Sequence, residues 1–429
     1  MGNWVKRKNM KKIITSAGWL ALGVTGLEAA YAPGLSQIES SKLMTYSVTT
    51  RGFYDDNITT ISKAFGTPQN TFGFDMRPSV ALNLTTLPQT YIGANYTYGL
   101  RYYFDRQPHS ADHSHEFSTK VEHAFSERFK LNLDDALVYA QEPEVIGDAG
   151  IVNRSPASAF RNTADISLTG QITETWGTRL AYRNAWVAYT DSGTGSRSAL
   201  LDRLEHEIRM EGTYQVNPKF VARTGYRLSL VNYNSSDFLR LGDTSKPSIR
   251  DQTRHTAYVG GDYVFTTRMR ASLEGGAEMT EFSSALNAPG TTSPYLSANL
   301  TYMYREKSYF QAGISVDRTA TDVVGPAGTG ITTDVEQVAP YFSITHHLTP
   351  RITVGTVTRY SHYSYQGGRA DGETENFLSP QLNFDYKINQ FLTATATYNY
   401  DRLMSKSASS LASRGFSRNR VFLGLTAVY

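Results

Sequence analysis

From Lys42 to Tyr429 apolar and polar positions alternate in one short segment after another. Over residues 91–105, Ile92, Ala94, Tyr96, Tyr98, Leu100, Tyr102 and Phe104 fall on one face, and Gly93, Asn95, Thr97, Gly99 and Arg101 on the other. A period of two is a strand signal, whereas a helix would scatter these residues around its circumference. The pattern recurs at Phe74, Met76, Val80, Leu82 and Leu84 against Asp75, Arg77, Ser79 and Asn83. It returns at Leu296, Ala298, Leu300, Tyr302 and Tyr304 against Ser297, Asn299, Thr301 and Arg305, and at Leu392, Ala394, Ala396, Tyr398 and Tyr400 against Thr393, Thr395, Thr397, Asn399 and Asp401. Polar faces rich in Arg, Asp, Thr and Asn, opposite apolar faces that end in aromatics, suit a water-filled lumen, a lipid-facing band and interfacial girdles.

The connections have two lengths. Short ones fall near Thr86–Gln89, Ser126–Arg128, Thr173–Trp176, Val216–Lys219, Thr266–Arg268, Tyr304–Lys307, Leu348–Arg351 and Lys387–Gln390. Between them lie longer stretches rich in Gly, Pro, Ser and Asp: Asp56–Asn70, Arg106–Asp112, Glu142–Ser158, Asp191–Ala199, Ser235–Arg250, Ser283–Ser293, Thr321–Thr333, Gln366–Glu373 and Leu403–Phe416. Outer-membrane barrels alternate tight periplasmic turns with longer external loops. Eight turns and nine loops predict an all-β, antiparallel, up-and-down transmembrane β-barrel of about eighteen strands, within a range of 16 to 18, with both chain ends on the periplasmic side.

Composition narrows the picture. A mean hydropathy of −0.39, with no run after residue 32 close to the roughly 20 apolar residues of a membrane helix, excludes a helical bundle. A barrel with a wet interior tolerates this polarity. The absence of Cys excludes disulfides, thiolate metal sites, a Cys nucleophile and a lipid-modified N-terminal Cys. With 42 basic and 39 acidic residues, a net charge of +3 and no basic run in the mature chain, nucleic acid is not an expected partner.

Lys6, Arg7, Lys8, Lys11 and Lys12, an apolar segment from Ile13 to Leu27, and the small-x-small site Ala30-Tyr31-Ala32 read as a secretory signal peptide over 1–32. Met10 is an alternative start to Met1. A short periplasmic lead over 33–42 and the barrel over 43–429 complete the expected organisation. The last ten residues put Val421, Leu423, Leu425, Ala427 and Tyr429 on one face. They resemble the C-terminal signal read by the barrel assembly machinery, with Gly424, Ala427 and Tyr429 at its glycine, apolar and aromatic positions; Phe422 departs from the polar residue usual before the glycine.

The first hairpin contains Gly52-Phe53-Tyr54-Asp55-Asp56-Asn57 and then Phe74-Asp75-Met76-Arg77-Pro78-Ser79-Val80. It resembles the β-barrel porin family of Gram-negative bacteria, in which an Asp-Asn pair ends the first strand and a Pro-containing second strand follows. The resemblance implies an outer-membrane barrel, with some relatives associated with exopolysaccharide export.

No phosphate-binding loop, metalloprotease helix or Gly-x-Ser-x-Gly elbow occurs, no cofactor is implied, and no Ser, His and acid share a recognisable motif, so an enzyme is not expected. Gly193-Thr194-Gly195-Ser196 reads as a flexible external loop. Asp55 and Asp56 suit an Asx turn, with a Ca²⁺ site as the alternative. His109, His113 and His115 read as a solvated second external loop, with a transition-metal site as the alternative. The lumen-lining candidates are Arg77, Arg101, Arg223, Arg227, Arg268, Arg270 and Arg305, with Glu205, Glu207, Glu211, Glu274 and Glu278. Arg on the lipid face at mid-depth would cost about 2–4 kcal/mol, which directs these side chains inward. There they either oppose one another as a transverse field or neutralise one another as ion pairs. The expected function is passive diffusion of small hydrophilic solutes through the outer membrane. One inward-folded loop, Glu142–Ser158 or Ser235–Arg250, would narrow the path. The alternative is a barrel for exopolysaccharide export or envelope anchoring. Homo-oligomerisation is left open.

Overall fold

The computed structural model describes residues 42–87, 89–107, 109–147, 150–282, 290–405 and 411–429. The expected signal peptide and nearly all of the lead lie outside the described residues. The strands are β1 (Met44–Asp55), β2 (Thr71–Leu87), β3 (Thr90–Tyr103), β4 (Ala111–Ala124), β5 (Phe129–Ala140), β6 (Ala159–Gln171), β7 (Trp176–Tyr189), β8 (Arg203–Asn217) and β9 (Phe220–Tyr233). They continue as β10 (Gln252–Thr266), β11 (Met269–Phe282), β12 (Thr291–Arg305), β13 (Ser308–Thr319), β14 (Asp334–Thr349), β15 (Ile352–Gln366), β16 (Thr374–Lys387), β17 (Leu392–Ser405) and β18 (Phe416–Val428). Each pairs antiparallel with its neighbours in sequence, and β1 also pairs with β18 from Ser47↔Val428 to Asp55↔Arg420, so the sheet closes. The expected barrel of eighteen strands is what the chain forms.

Register follows the alternation. Between β2 and β3, Phe74 faces Tyr102, Met76 faces Leu100 and Val80 faces Tyr96 on the outer wall, while Asp75 faces Arg101 and Ser79 faces Thr97 on the inner wall. A slip of one residue would carry every apolar side chain into the lumen, which makes the register strongly specified. Large apolar side chains accordingly stay exposed on the outer wall, as at Leu180, Met210, Leu273, Leu382 and Leu423. Rings gather at both ends of this band, with Trp176 on Tyr214 near the short turns and Phe160 on Trp186 near the long loops. Pro78 lacks the N–H a ladder needs; its pairing holds toward β1, opposite Val48, and lapses toward β3.

β1 begins and β18 ends at the end of the short turns, where the Tyr46 N–H donates to the Tyr429 carbonyl at 3.0 Å. This is the periplasmic end, and the long segments form the external end. Those segments turn inward and pack together. Two short helices, α1 (Pro143–Ile146) and α2 (Arg197–Leu201), belong to them. One apolar cluster joins Ile146, Ile151, Leu200, Leu201, Leu239 and Ile331 from four external segments to Val187 and Tyr233 of the wall. A second joins Val323 and Leu411 to Tyr363 and Tyr365 of β15.

Candidate functional site

The barrel holds a cavity of about 2520 Å³. Its mouth is at the periplasmic end, ringed by turn residues including Arg128, Arg305, Lys307, Arg351 and Lys387. Deeper in, two walls differ in chemistry. One carries charged groups, among them Arg179, Arg183, Glu211, Arg223 and Asp262, on β7 to β10. The other, on β1 to β3 and β16 to β18, carries mostly uncharged groups, Thr49, Ser79, Asn95, Asn383, Thr395 and Thr426, with Arg51, Arg77 and Asp385 among them. Its uncharged groups are partly self-bonded, as where Thr49 meets Thr426 and Thr397 donates to Asn383, each at 2.9 Å. Among the described residues, the external segments reach the cavity through Glu144, Val145 and Ile146, so α1 is its roof.

The sequence builds that roof from a proline at the first helical position and a left-handed residue after the last. Pro143 has no N–H to leave unpaired there, and Gly147 at φ 69° donates its N–H to the Pro143 carbonyl at 2.9 Å. Glu142, which caps the helix through its backbone, turns its carboxylate to the wall. Arg418 donates to it at 3.1 Å and to Asp55 at 2.6 Å, Arg154 approaches it at 3.2 Å and Arg101 at 3.7 Å. Burial alone would raise the Glu142 pKa, but the Arg418, Arg154 and Arg101 guanidiniums hold it well below the ordinary carboxylate range. One turn on, Glu144 pairs with Arg420, which also holds Asp401 at 2.5 Å. Roof and wall are thus bolted together by buried ion pairs from β1, β3, β17 and β18.

The remaining external segments lock over α1. Arg250, with no exposed surface, donates to the carbonyls of Leu200 at 2.9 Å, Thr321 at 2.6 Å and Thr333 at 3.3 Å. Asp322 takes both Arg197 and Arg414, and these guanidiniums hold its pKa far below the carboxylate range against the raising effect of burial. Arg240 donates to the carbonyls of Pro326 and Thr329, each at 2.8 Å. Arg154 donates its N–H to the Thr60 hydroxyl at 2.9 Å, and Asn153 donates to the Arg414 carbonyl at 3.0 Å. Gly150 is required where two segments touch, since a Cβ there would stand 2.1 Å from the Ala320 carbonyl oxygen.

The structure distributes the sequence candidates unevenly. Arg77, Arg223, Arg305 and Glu211 line the cavity. Arg77 pairs with Glu116, and Arg223 with both Glu274 and Asp262. Arg227 reaches Glu278 at 2.9 Å and Glu207 at 3.8 Å; Arg101 reaches Asp75 at 3.3 Å; Glu205 holds Arg203 at 2.6 Å. Glu211 and Glu274 also accept from the hydroxyls of Tyr258 at 2.6 Å and Tyr295 at 3.1 Å. Arginines and carboxylates therefore interleave as ion pairs on β8 to β11 and again on β2 to β4. Arg268 sits in the turn between β10 and β11, Arg270 one residue into β11 opposite Thr301, and Arg305 at the end of β12. Of the assembly-signal residues, Gly424 presses on the Thr50 carbonyl of β1, and Tyr429 is exposed.

Two local readings change and one holds. His113 and His115 stand on the outer face of β4, bonded to Tyr98 at 2.7 Å and Tyr96 at 2.9 Å, because β4 begins at Ala111 and leaves only His109 in the connection. Asp55 keeps the expected Asx bond, accepting from the Asn57 N–H at 3.0 Å, and also takes Arg418, while Asp56 accepts from both nitrogens of Asn419. The 193–196 segment is ordered by bonding: Gly193 and Gly195 donate to Asp237 and the Phe238 carbonyl, and the Ser196 hydroxyl caps α2. Sequence reasoning missed Arg418 and Arg420 although their spacing already set them on one face of the last strand; apart from Asp401 on the neighbouring strand, the partners given above lie 276 and 363 residues away and leave no local signal.

Comparison with known proteins follows this geometry. No curated protein matches the sequence. Among solved structures, the outer membrane protein opdK from Pseudomonas aeruginosa is similar at 10% identity over 90% of this chain and 99% of that one, with a TM-score of 0.46. Acinetobacter baumannii OccAB4 aligns at 10% identity over 90% and 99%, with a TM-score of 0.45. Pseudomonas aeruginosa OccK5 (OpdH) aligns at 12% identity over 90% and 98%, with a TM-score of 0.44. The family described as "Putative beta-barrel porin 2" matches residues 290–429. The expected porin relationship is met there, over β12 to β18, whereas the first-hairpin motif lies outside the matched residues.

Proposed function

We propose that this outer-membrane barrel is a channel for small hydrophilic solutes, which diffuse through it down their gradients, and that its external loops set what passes. The observation that carries the reading is the polar cavity of about 2520 Å³ open at the periplasmic mouth and roofed by α1. Such a lumen offers water and hydrogen-bonding groups along its length, and the ion-paired roof makes passage selective. The reading is of a channel and not an enzyme: His113, His115, His206, His255 and His346 bond to tyrosine hydroxyls, and His123, His347 and His362 to Thr or Asn side chains. The export alternative wants a wide, unobstructed lumen, and the interlocked loops weigh against it.

Single-channel recording in planar bilayers tests the proposal. Wild type is expected to open in small, stable steps, and a variant with residues 143–157 replaced by a short Gly-Ser link is expected to conduct several-fold more. A folded barrel that stays silent with and without that segment would overturn the diffusion reading.

A further inference from the structure

The outer wall is not uniformly apolar. On β5, Asp135 follows the lumenal Asp134 and therefore faces outward, between the outward Leu133 and Leu137. Its Oδ1 accepts from Asn162 of β6 at 2.9 Å, and among the described residues no other hydrogen bond to this carboxylate is found. By register, Asp135, Ala164, Asn184 and His206 stand side by side across β5, β6, β7 and β8. At the far end of this row Asn184 donates to His206 Nδ1 at 3.2 Å, and the Tyr182 hydroxyl meets the same nitrogen at 2.7 Å. Among the described residues no hydrogen bond to the ring's Nε2 is found, and this nitrogen can serve an outside partner. Elsewhere the outer face carries hydrocarbon, as at Leu296 and Leu300 of β12, Ile314 of β13, and Ala394 and Ala396 of β17, and imidazoles held by tyrosines, as at His115 on Tyr96 and His255 on Tyr226; Asp135 adds a carboxylate to such a surface.

A carboxylate among leucines on a lipid-facing wall is unfavourable unless something polar covers it. We propose that the outer face of β5 to β8 seats a second copy of this chain. The row offers acceptor and donor together: a half-satisfied carboxylate at one end, amides beside it and an imidazole at the other end. The same patch on a second copy supplies what each group lacks, as a closed symmetric interface requires. Ala164, the smallest side chain of the row, lets the two walls approach. A phospholipid headgroup or an unrelated protein are the other occupants the test separates.

The chain has no cysteine, so Ala164→Cys introduces its only thiol. Outer-membrane vesicles carrying A164C, or Ala396→Cys on β17 as the distant control, would be treated with a short bis-maleimide. Products would be resolved by denaturing electrophoresis and mass spectrometry. The expected result is a product of twice the chain mass for A164C and none for A396C, lost by at least tenfold when Asp135→Leu is added to a barrel that still shows heat-modifiable migration. Cross-linking at neither position, at both equally, or to a chain of another mass would overturn the proposal. So would a wild-type barrel that sediments as a monomer in mild detergent, a measurement that depends on no variant folding.

Discussion

Glu142 sits where three guanidiniums meet, and its behaviour follows from that. A carboxylate whose folded pKa is depressed contributes stability that is full above its ordinary value, 4.5 here, and is lost as pH falls through the lower folded value. The Glu142 latch should therefore hold from neutral pH down to about 4.5 and give way only in stronger acid, after the neighbouring Glu144, whose pKa burial raises, has taken up its proton; conductance that reaches its full acid level already near neutrality would count against this latch. Glu142→Gln removes the charge and leaves buried guanidiniums short of a partner. A broken buried pair costs about 3–5 kcal/mol. The variant should lose its folded migration at a lower temperature and conduct more at neutral pH than wild type. Little of this was legible beforehand. The alternation that put Arg77 and Arg101 on the inner face applies equally to Arg418 and Arg420, but Glu142 stood at the edge of a presumed loop, and nothing local ties it to β18.

At the scale of elements, the strands were readable because two opposite solvents, lipid and lumen water, act on alternate residues, and only a period of two satisfies both. The short turns were readable for the same reason, since the alternation breaks there. The external segments obey neither solvent: they fold on one another, and their cores come from four or five separate stretches with no period to detect. The 193–196 segment, which reads as flexible, is tied down by Asp237 and Phe238 from another loop. Leu201 shows what holds the cap, with no exposed surface amid Ile146, Leu239 and Ile331. Leu201→Ala should weaken that packing by about 2–5 kcal/mol. Because cap and wall are distinct layers, limited proteolysis from outside should cut the variant within its loops while the barrel fragments stay assembled. Resistance equal to wild type would show that the cap does not depend on this core.

For the whole molecule, the seam between β1 and β18 is the contact that makes the rest possible. It joins residues 377 apart, as where Thr49 meets Thr426, and until it forms the sheet has two open edges that invite pairing with other chains. Removing Tyr429, the aromatic of the proposed assembly signal, should slow insertion of new barrels, read as folded product per unit time in membranes, with little change in the melting of barrels already made. Once closed, the ring has no first strand. β1 begins and β18 ends a hydrogen bond apart, at Tyr46 and Tyr429. A gene rewritten to begin at Arg268 and end at Thr267, with Tyr429 joined to the start of β1 through a few glycines, describes the same circle. That rearranged polypeptide would place Tyr429 in mid-chain without moving it in space, and so would separate what the tyrosine does as part of a wall from what it does as a terminus.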